Sequence, residues 1–211
     1  VDFFFVISGF VLPYALFKGK YRLRNFGKFL LKRLIRLEPP YLVSLAAIIL
    51  LLLIAPLVPG YGGDAFSIEW SRLLLHLGYL NTYFGYESYN PVYWTLAIEL
   101  QFYLGIALLF PLLVSERRWL RSMFPLVLMA MSLIPCQESI IFRYLPLFVF
   151  GIVCFQYFID AIGFRLWLML MILAAAFSFS ALGIVATSAG LMAALTIAWS
   201  KHESFDPNIF G

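Results

Sequence analysis

Glu99 sits in the stretch Asn90 to Tyr103, NPVYWTLAIELQFY, a carboxylate inside a run otherwise apolar enough to cross a bilayer. An ionisable group at the centre of a membrane helix costs about 2.5–3.5 kcal/mol on insertion scales, so its presence points first to chemistry. On a helix, Thr95, Glu99 and Tyr103 follow at i, i+4 and i+8 and share one face, while Gln101 points nearly the opposite way. That polar stripe must face protein or water rather than lipid. The blander reading is a carboxylate near the interface, or one satisfied by a neighbouring helix. Two other groups have the types and spacing for chemistry. Asp2 is an acid at what loop charge places as the outer end of a helix. Arg33-Leu34-Ile35-Arg36 sets two guanidiniums three residues apart on one helical face, which suits a phosphorylated ligand arriving from the cytoplasm. A collar for anionic lipid explains the same charges equally well. A lone His76 on a short helix is more often structural than catalytic.

The elements that must position these groups are membrane helices. The 211 residues are 63% hydrophobic and only 12% charged, with mean hydropathy +0.92, far more apolar than a surface that meets water. The fold class expected is all-α, a polytopic transmembrane helix bundle. The 22 Phe, 12 Tyr and 5 Trp fit lipid-facing helices with aromatic rings near the headgroups. Eight of the fifteen basic residues, Lys18, Lys20, Arg22, Arg24, Lys28, Lys32, Arg33 and Arg36, lie between the first two apolar runs. Such crowding reads as a cytoplasmic loop rather than as nucleic-acid binding. Cys136 and Cys154 have neither metal-like spacing nor a disulfide pattern, so no metal is expected.

Taken in order, residues 1–17 form a first span in which Ser8-Gly9 allows close helix packing. Residues 18–38 are a cytoplasmic basic loop whose second half is amphipathic, with Lys28, Lys32, Arg33 and Arg36 on one arc and Leu30, Leu31, Leu34, Ile35 and Leu37 on the other. Glu38-Pro39-Pro40 should end that surface helix, because a residue before proline is pushed out of the α region. A second span follows near 41–58. Residues 59–91 form an extracytoplasmic loop with a re-entrant or interfacial helix in EWSRLLLHLGYL, too short to span. The central span covers roughly 92–114. Spans near 123–135 and 143–159, and two more within 166–199 split near Gly183, bring the total to about seven, with loop charge alternating as the positive-inside rule asks. Val1 opens without a charged leader and DPNIFG ends without a terminal signature, so the stretch reads as an internal fragment of a single integral-membrane domain.

In this order and spacing, VDFFFVISGFVL at 1–12, RLIRLEPPY at 33–41 and WTLAIELQFY at 94–103 resemble the membrane-bound acyltransferase 3 family, the bacterial O-acyltransferases of surface polysaccharides. Thr95 stands where serine is common in the family. The resemblance implies transfer of an acyl group, most often acetyl from acetyl-CoA, to a hydroxyl of a glycan, glycolipid or peptidoglycan at the outer face of the bacterial cytoplasmic membrane. It implies that Arg33 and Arg36, helped by Lys32, hold CoA phosphates. It also implies a histidine from an Arg-x10-His element in a first helix, which this sequence does not contain and which neither His76 nor His202 matches. The stretch alone is therefore expected to be inactive. Glu99 and Asp2 are the candidates to orient that histidine and raise its pKa, and Trp94 and Tyr93 offer stacking faces to a sugar. The main rival is a transporter or flippase of a lipid-linked sugar or small solute, which needs the same buried acid and no covalent chemistry. A third reading is a structural subunit that recruits a partner through its basic loop.

Overall fold

The computed structural model describes residues 1–58, 62, 67–90, 92–135 and 140–201, and among them every regular element is helical. The helices are α1 (Asp2–Lys18), α2 (Phe26–Ile54), α3 (Trp70–Leu77), α4 (Tyr93–Leu113), α5 (Arg118–Met131), α6 (Leu145–Phe158), α7 (Phe164–Leu182) and α8 (Ile184–Ser200). Four helical runs are long and apolar enough to cross a membrane: Leu23–Leu57, Tyr93–Leu113, Ile141–Phe158 and Phe164–Leu182. The remaining three of the seven expected spans are shorter. α1 and α8 have 17 residues each, and α5, expected as a span over 123–135, has 14. At 1.5 Å per residue α5 reaches about 21 Å, short of a hydrocarbon core of about 30 Å. The outer-loop residues 136–139, with Cys136 and Glu138, and the terminal 202–211, with His202, lie outside the described residues.

The chain forms two compact units, Arg24–Gln101 and Val1–Leu23 with Phe102–Gly211. The second is built around α6. Its residues from Leu145 to Gln156 are buried at every position, as expected of a helix that is hydrophobic all round. α1 crosses α6 at Gly9 and Gly151. A Cβ on Gly9 would collide with the Phe148 carbonyl oxygen, and one on Gly151 with the Val6 carbonyl oxygen, so both helices need glycine where their backbones meet. Phe5 and Phe148 pack beside this crossing with ring centroids 5.0 Å apart. Gly151→Leu is expected to cost at least the upper end of the usual overpacking range, about 1–3 kcal/mol. The check is the yield of monodisperse detergent-extracted protein, which should collapse for Gly151→Leu and stay normal for a lipid-facing control such as Val185→Leu. The α7–α8 boundary falls where the sequence splits, at Gly183, whose φ of +84° with ψ of −176° is a conformation open essentially only to glycine.

In the first unit the expected break at Pro39-Pro40 does not occur. α2 runs unbroken for 29 residues through both prolines. Two missing N–H donors orphan the carbonyls of Ile35 and Arg36, and Ile35, Arg36, Pro39 and Pro40 all lie on the exposed side. There water or headgroups can take up the free carbonyls, so the helix continues. The separate surface helix expected within residues 18–38 is therefore nearly the first half of a long one. The expected arcs are also redrawn. Leu31 and Ile35 are exposed, whereas Arg33 shares the half-buried stripe of Leu30, Leu34 and Leu37, which continues into Glu38, Tyr41, Ser44, Leu45 and Ile48. Lys28, Lys32 and Arg36 stay exposed at i, i+4 and i+8.

Candidate functional site

The site is assembled from α2, α3 and the first half of α4, all inside Arg24–Gln101. α4 starts at Tyr93 because Asn90 caps it. The Asn90 side-chain oxygen accepts the Val92 N–H at 2.9 Å, and the Asn90 carbonyl accepts the Tyr93 N–H at 3.1 Å. From there Thr95, Glu99 and Tyr103 are each buried, Glu99 being 3% exposed. The stripe thus faces protein, as its polarity requires. The Thr95 hydroxyl is turned back to the Val92 carbonyl at 2.8 Å. Gln101, on the other side, donates to the Ala97 carbonyl at 3.1 Å.

On the Gln101 side of α4, tyrosines from α2, from the turn after α3 and from the start of α4 meet. The Tyr41 ring lies 4.8 Å from Tyr93 edge-on and 4.8 Å from Tyr79. Together with Leu45 and Ala97 these rings form one buried cluster. The hydroxyls are directed. Tyr41 donates to the His76 carbonyl at 2.9 Å, and Tyr93 and Ser44 share a hydrogen bond at 2.8 Å. Tyr93 therefore has its hydroxyl committed to α2, while the neighbouring Trp94 is half-buried. Tyr41 and Tyr79 were not singled out from the sequence. Tyr41 closes the RLIRLEPPY element, but nothing distinguishes Tyr79 from the other tyrosines of the chain.

His76 fixes the outer edge of the site. It is fully buried; its Nδ1 lies 2.8 Å from the Arg72 carbonyl, and its Nε2 faces the Tyr89 N–H at 3.2 Å. Only one tautomer satisfies both contacts, with Nδ1 donating and Nε2 accepting. Both nitrogens thus serve the backbone, which supports the structural reading and leaves no lone pair for a base. Arg72 reinforces the turn by donating from Nε to the Glu87 carbonyl at 2.9 Å and stacking 4.1 Å over Tyr89. Burial, aided by the Arg72 charge, lowers the His76 pKa below its ordinary 6.5, outweighing the Arg72 carbonyl bond. The neutral ring's stabilisation is therefore complete above 6.5 and lost as pH falls through the lowered value. Amide protection over residues 78–90, taken relative to the intrinsic exchange rate at each pH, is expected to be high at pH 7 and to fall as pH is lowered below 6.5. A His76→Gln variant should show no such pH step, and equal steps in both proteins would contradict this role.

α3 ends in a hydrogen-bonded cap in which the Tyr79 N–H donates to the His76 carbonyl at 3.1 Å and the Leu80 N–H to the Leu75 carbonyl at 2.9 Å. The cap turns Tyr79 inward, to 4% exposure. Burial, followed by the Glu38 charge and then by Tyr41 and Glu99, raises the Tyr79 pKa, so its phenol stays protonated. The interior thus holds a neutral donor among carboxylates, an arrangement suited to binding groups that both donate and accept.

At the other end of the α2 stripe the basic residues divide. Arg33 is half-buried with its guanidinium 5.6 Å over Phe29, whereas Lys32 and Arg36 are exposed. Asp2 belongs to the other unit, half-buried in the first turn of α1, where an acid also suits the helix dipole. The expected site residues are thus shared between the units: Glu99, Trp94, Tyr93, Lys32, Arg33 and Arg36 in one, Asp2 in the other.

An acyltransferase-domain family matches residues 1–207, almost the whole chain. The chain belongs to the acyltransferase 3 family. Among curated proteins and among solved structures, none matches. The family and the apolar helices together make this an integral-membrane acyltransferase. Of the three elements that carry the resemblance to the family, WTLAIELQFY is the one whose carboxylate is most deeply buried.

Proposed function

We propose that the acyltransferase moves an acyl group, acetyl in the first instance, from cytoplasmic acyl-CoA to a hydroxyl of an extracytoplasmic glycan, glycolipid or peptidoglycan in the bacterial cytoplasmic membrane. The observation that carries this reading is the burial of the Glu99 carboxylate inside the otherwise apolar helix α4, in a chain of this family. Arg33 supplies a guanidinium on the inward stripe of α2 for the CoA phosphates, and Lys32 and Arg36 add positive charge beside it. Glu99 is the carboxylate that orients a histidine base and holds its imidazolium, with Asp2, in the other unit, as the alternative candidate for that role. The acceptor hydroxyl loses its proton to that base, its oxygen bonds the acyl carbon, the carbon–sulfur bond breaks, and the thiolate takes up a proton. Trp94, half-buried at the start of α4, offers a face to the acceptor.

The test uses the full-length protein in lipid nanodiscs with acetyl-CoA and host surface glycan stripped of its esters by mild base. Glycan-dependent release of free thiol, with label from the acetyl group recovered on the glycan, is expected. Binding or flux of the glycan without thiol release would overturn the reading in favour of a transporter.

A further inference from the structure

Tyr79 occupies a backbone position that rarely holds a tyrosine. It is the residue just past the cap of α3, with φ of +58°, where a side chain costs about 1 kcal/mol or more relative to glycine. The ring offsets this by burial and by packing 4.8 Å from Tyr41. Phenylalanine would pack as well and would carry no hydroxyl inside. The hydroxyl makes no hydrogen bond of good geometry with any described residue. A buried polar atom in that state costs about 1–3 kcal/mol and calls for an explanation. Glu38, one turn before Tyr41 on α2, is the carboxylate that acts on it most strongly, and the Glu99 charge, from the other side of α4, acts on it more weakly. Glu38 bears on the phenol both through its charge and as a partner for the phenol proton.

The geometry points to Tyr79 and Glu38 as the subsite for a second, non-reacting hydroxyl of the acceptor. This inference rests on the acyltransferase reading of the same site, and it narrows the acceptor to a polyol. A hydroxyl is donor and acceptor at one atom, so its oxygen takes the Tyr79 O–H while its hydrogen goes to the Glu38 carboxylate. The neighbouring hydroxyl, the one that is acylated, is left for the Glu99 side of the site. A phosphate or carboxylate would present only negative oxygens to two carboxylates and be repelled. The subsite therefore selects neutral sugar hydroxyls and rejects the donor's phosphates, which belong to the cationic stretch of α2. A lone alcohol would fill only the reacting position.

The experiment measures steady-state kinetics of the full-length protein in nanodiscs with acetyl-CoA and base-stripped host glycan. Tyr79→Phe is expected to raise KM for the glycan about 10-fold or more, with KM for acetyl-CoA and the monodisperse yield unchanged, as loss of uniform binding requires. Glu38→Gln should do the same, and the double variant should cost no more than the larger single one, because both side chains hold one hydroxyl. Wild-type glycan KM in Tyr79→Phe, equal changes in both KM values, or additive effects would overturn the subsite while leaving acyl transfer intact. Should Tyr79→Phe not fold, Glu38→Gln decides alone, and an unchanged glycan KM overturns the proposal. A wild-type protein with no glycan-dependent turnover overturns the acyltransferase reading and the subsite with it.

Discussion

Glu99→Gln in the full-length protein is expected to lower acyl transfer about 100-fold or more while leaving membrane insertion and yield unchanged. The substitution keeps the shape and one acceptor oxygen but removes the charge. A base that depends on a carboxylate for its tautomer and for stabilisation of its protonated form loses the proton-transfer contribution, about 10²–10⁴-fold in typical cases. Burial argues for a large effect. At 3% exposure the carboxylate acts in a medium of low effective dielectric, where its field on a neighbouring group is several times that of a surface acid. If Glu99 were only a packing group, the neutral amide would be tolerated or even stabilising. Turnover at wild-type rate in Glu99→Gln, with acetyl label still reaching the glycan, would therefore remove Glu99 from the mechanism. Glu99→Asp should recover part of the activity only if charge rather than volume is what matters.

The second large effect is expected at Arg33. Arg33→Gln should raise KM for acetyl-CoA about 10- to 100-fold, since a charge-assisted hydrogen bond is worth about 1.5–3 kcal/mol. Arg36→Gln and Lys32→Gln should change it no more than a few-fold. The two arginines look equivalent in RLIRLEPPY, but only Arg33 shares the inward stripe with Leu34, Leu37 and Tyr41, and only its charge is partly shielded from solvent. Exposed cations such as Arg36 and Lys32 are screened by salt and by lipid headgroups. Equal increases for Arg33→Gln and Arg36→Gln would show that the phosphates are held by the whole cationic face instead. Loss of protein from the membrane in the Lys32 and Arg36 variants, with normal KM in what remains, would assign those two residues to anionic lipid.

Much of this was legible in the residues. Apolar runs, the crowding of cations before Glu38, and one carboxylate in an apolar helix were enough for a helical membrane bundle and for a Glu99 that faces protein rather than lipid. Gly9 and Gly183 also announced their roles, because small residues and left-handed turns have few other uses in membrane helices. The proline pair misled. A rule about local backbone conformation says that Glu38-Pro39 ends a helix, yet the outcome depends on which face the orphaned carbonyls take, and that is decided by tertiary packing. The same packing moved Arg33 from the basic arc to the inward one, a rotation of a few tens of degrees that helical periodicity alone does not resolve. Tyr79 was invisible for another reason: its importance lies in a left-handed φ and in two carboxylates distant in sequence, neither of which leaves a local signal. His76 was read correctly from its bland context, and both of its ring nitrogens are indeed taken by backbone.

The most direct measurement is mass spectrometry of the surface glycan from host cells carrying the wild-type gene, a deletion, or Glu99→Gln expressed at equal level. Loss of an acetyl-sized mass from the glycan in both the deletion and Glu99→Gln is the result predicted for acyl transfer that depends on the buried carboxylate. A glycan unchanged in the deletion would contradict glycan acylation as the function of this protein.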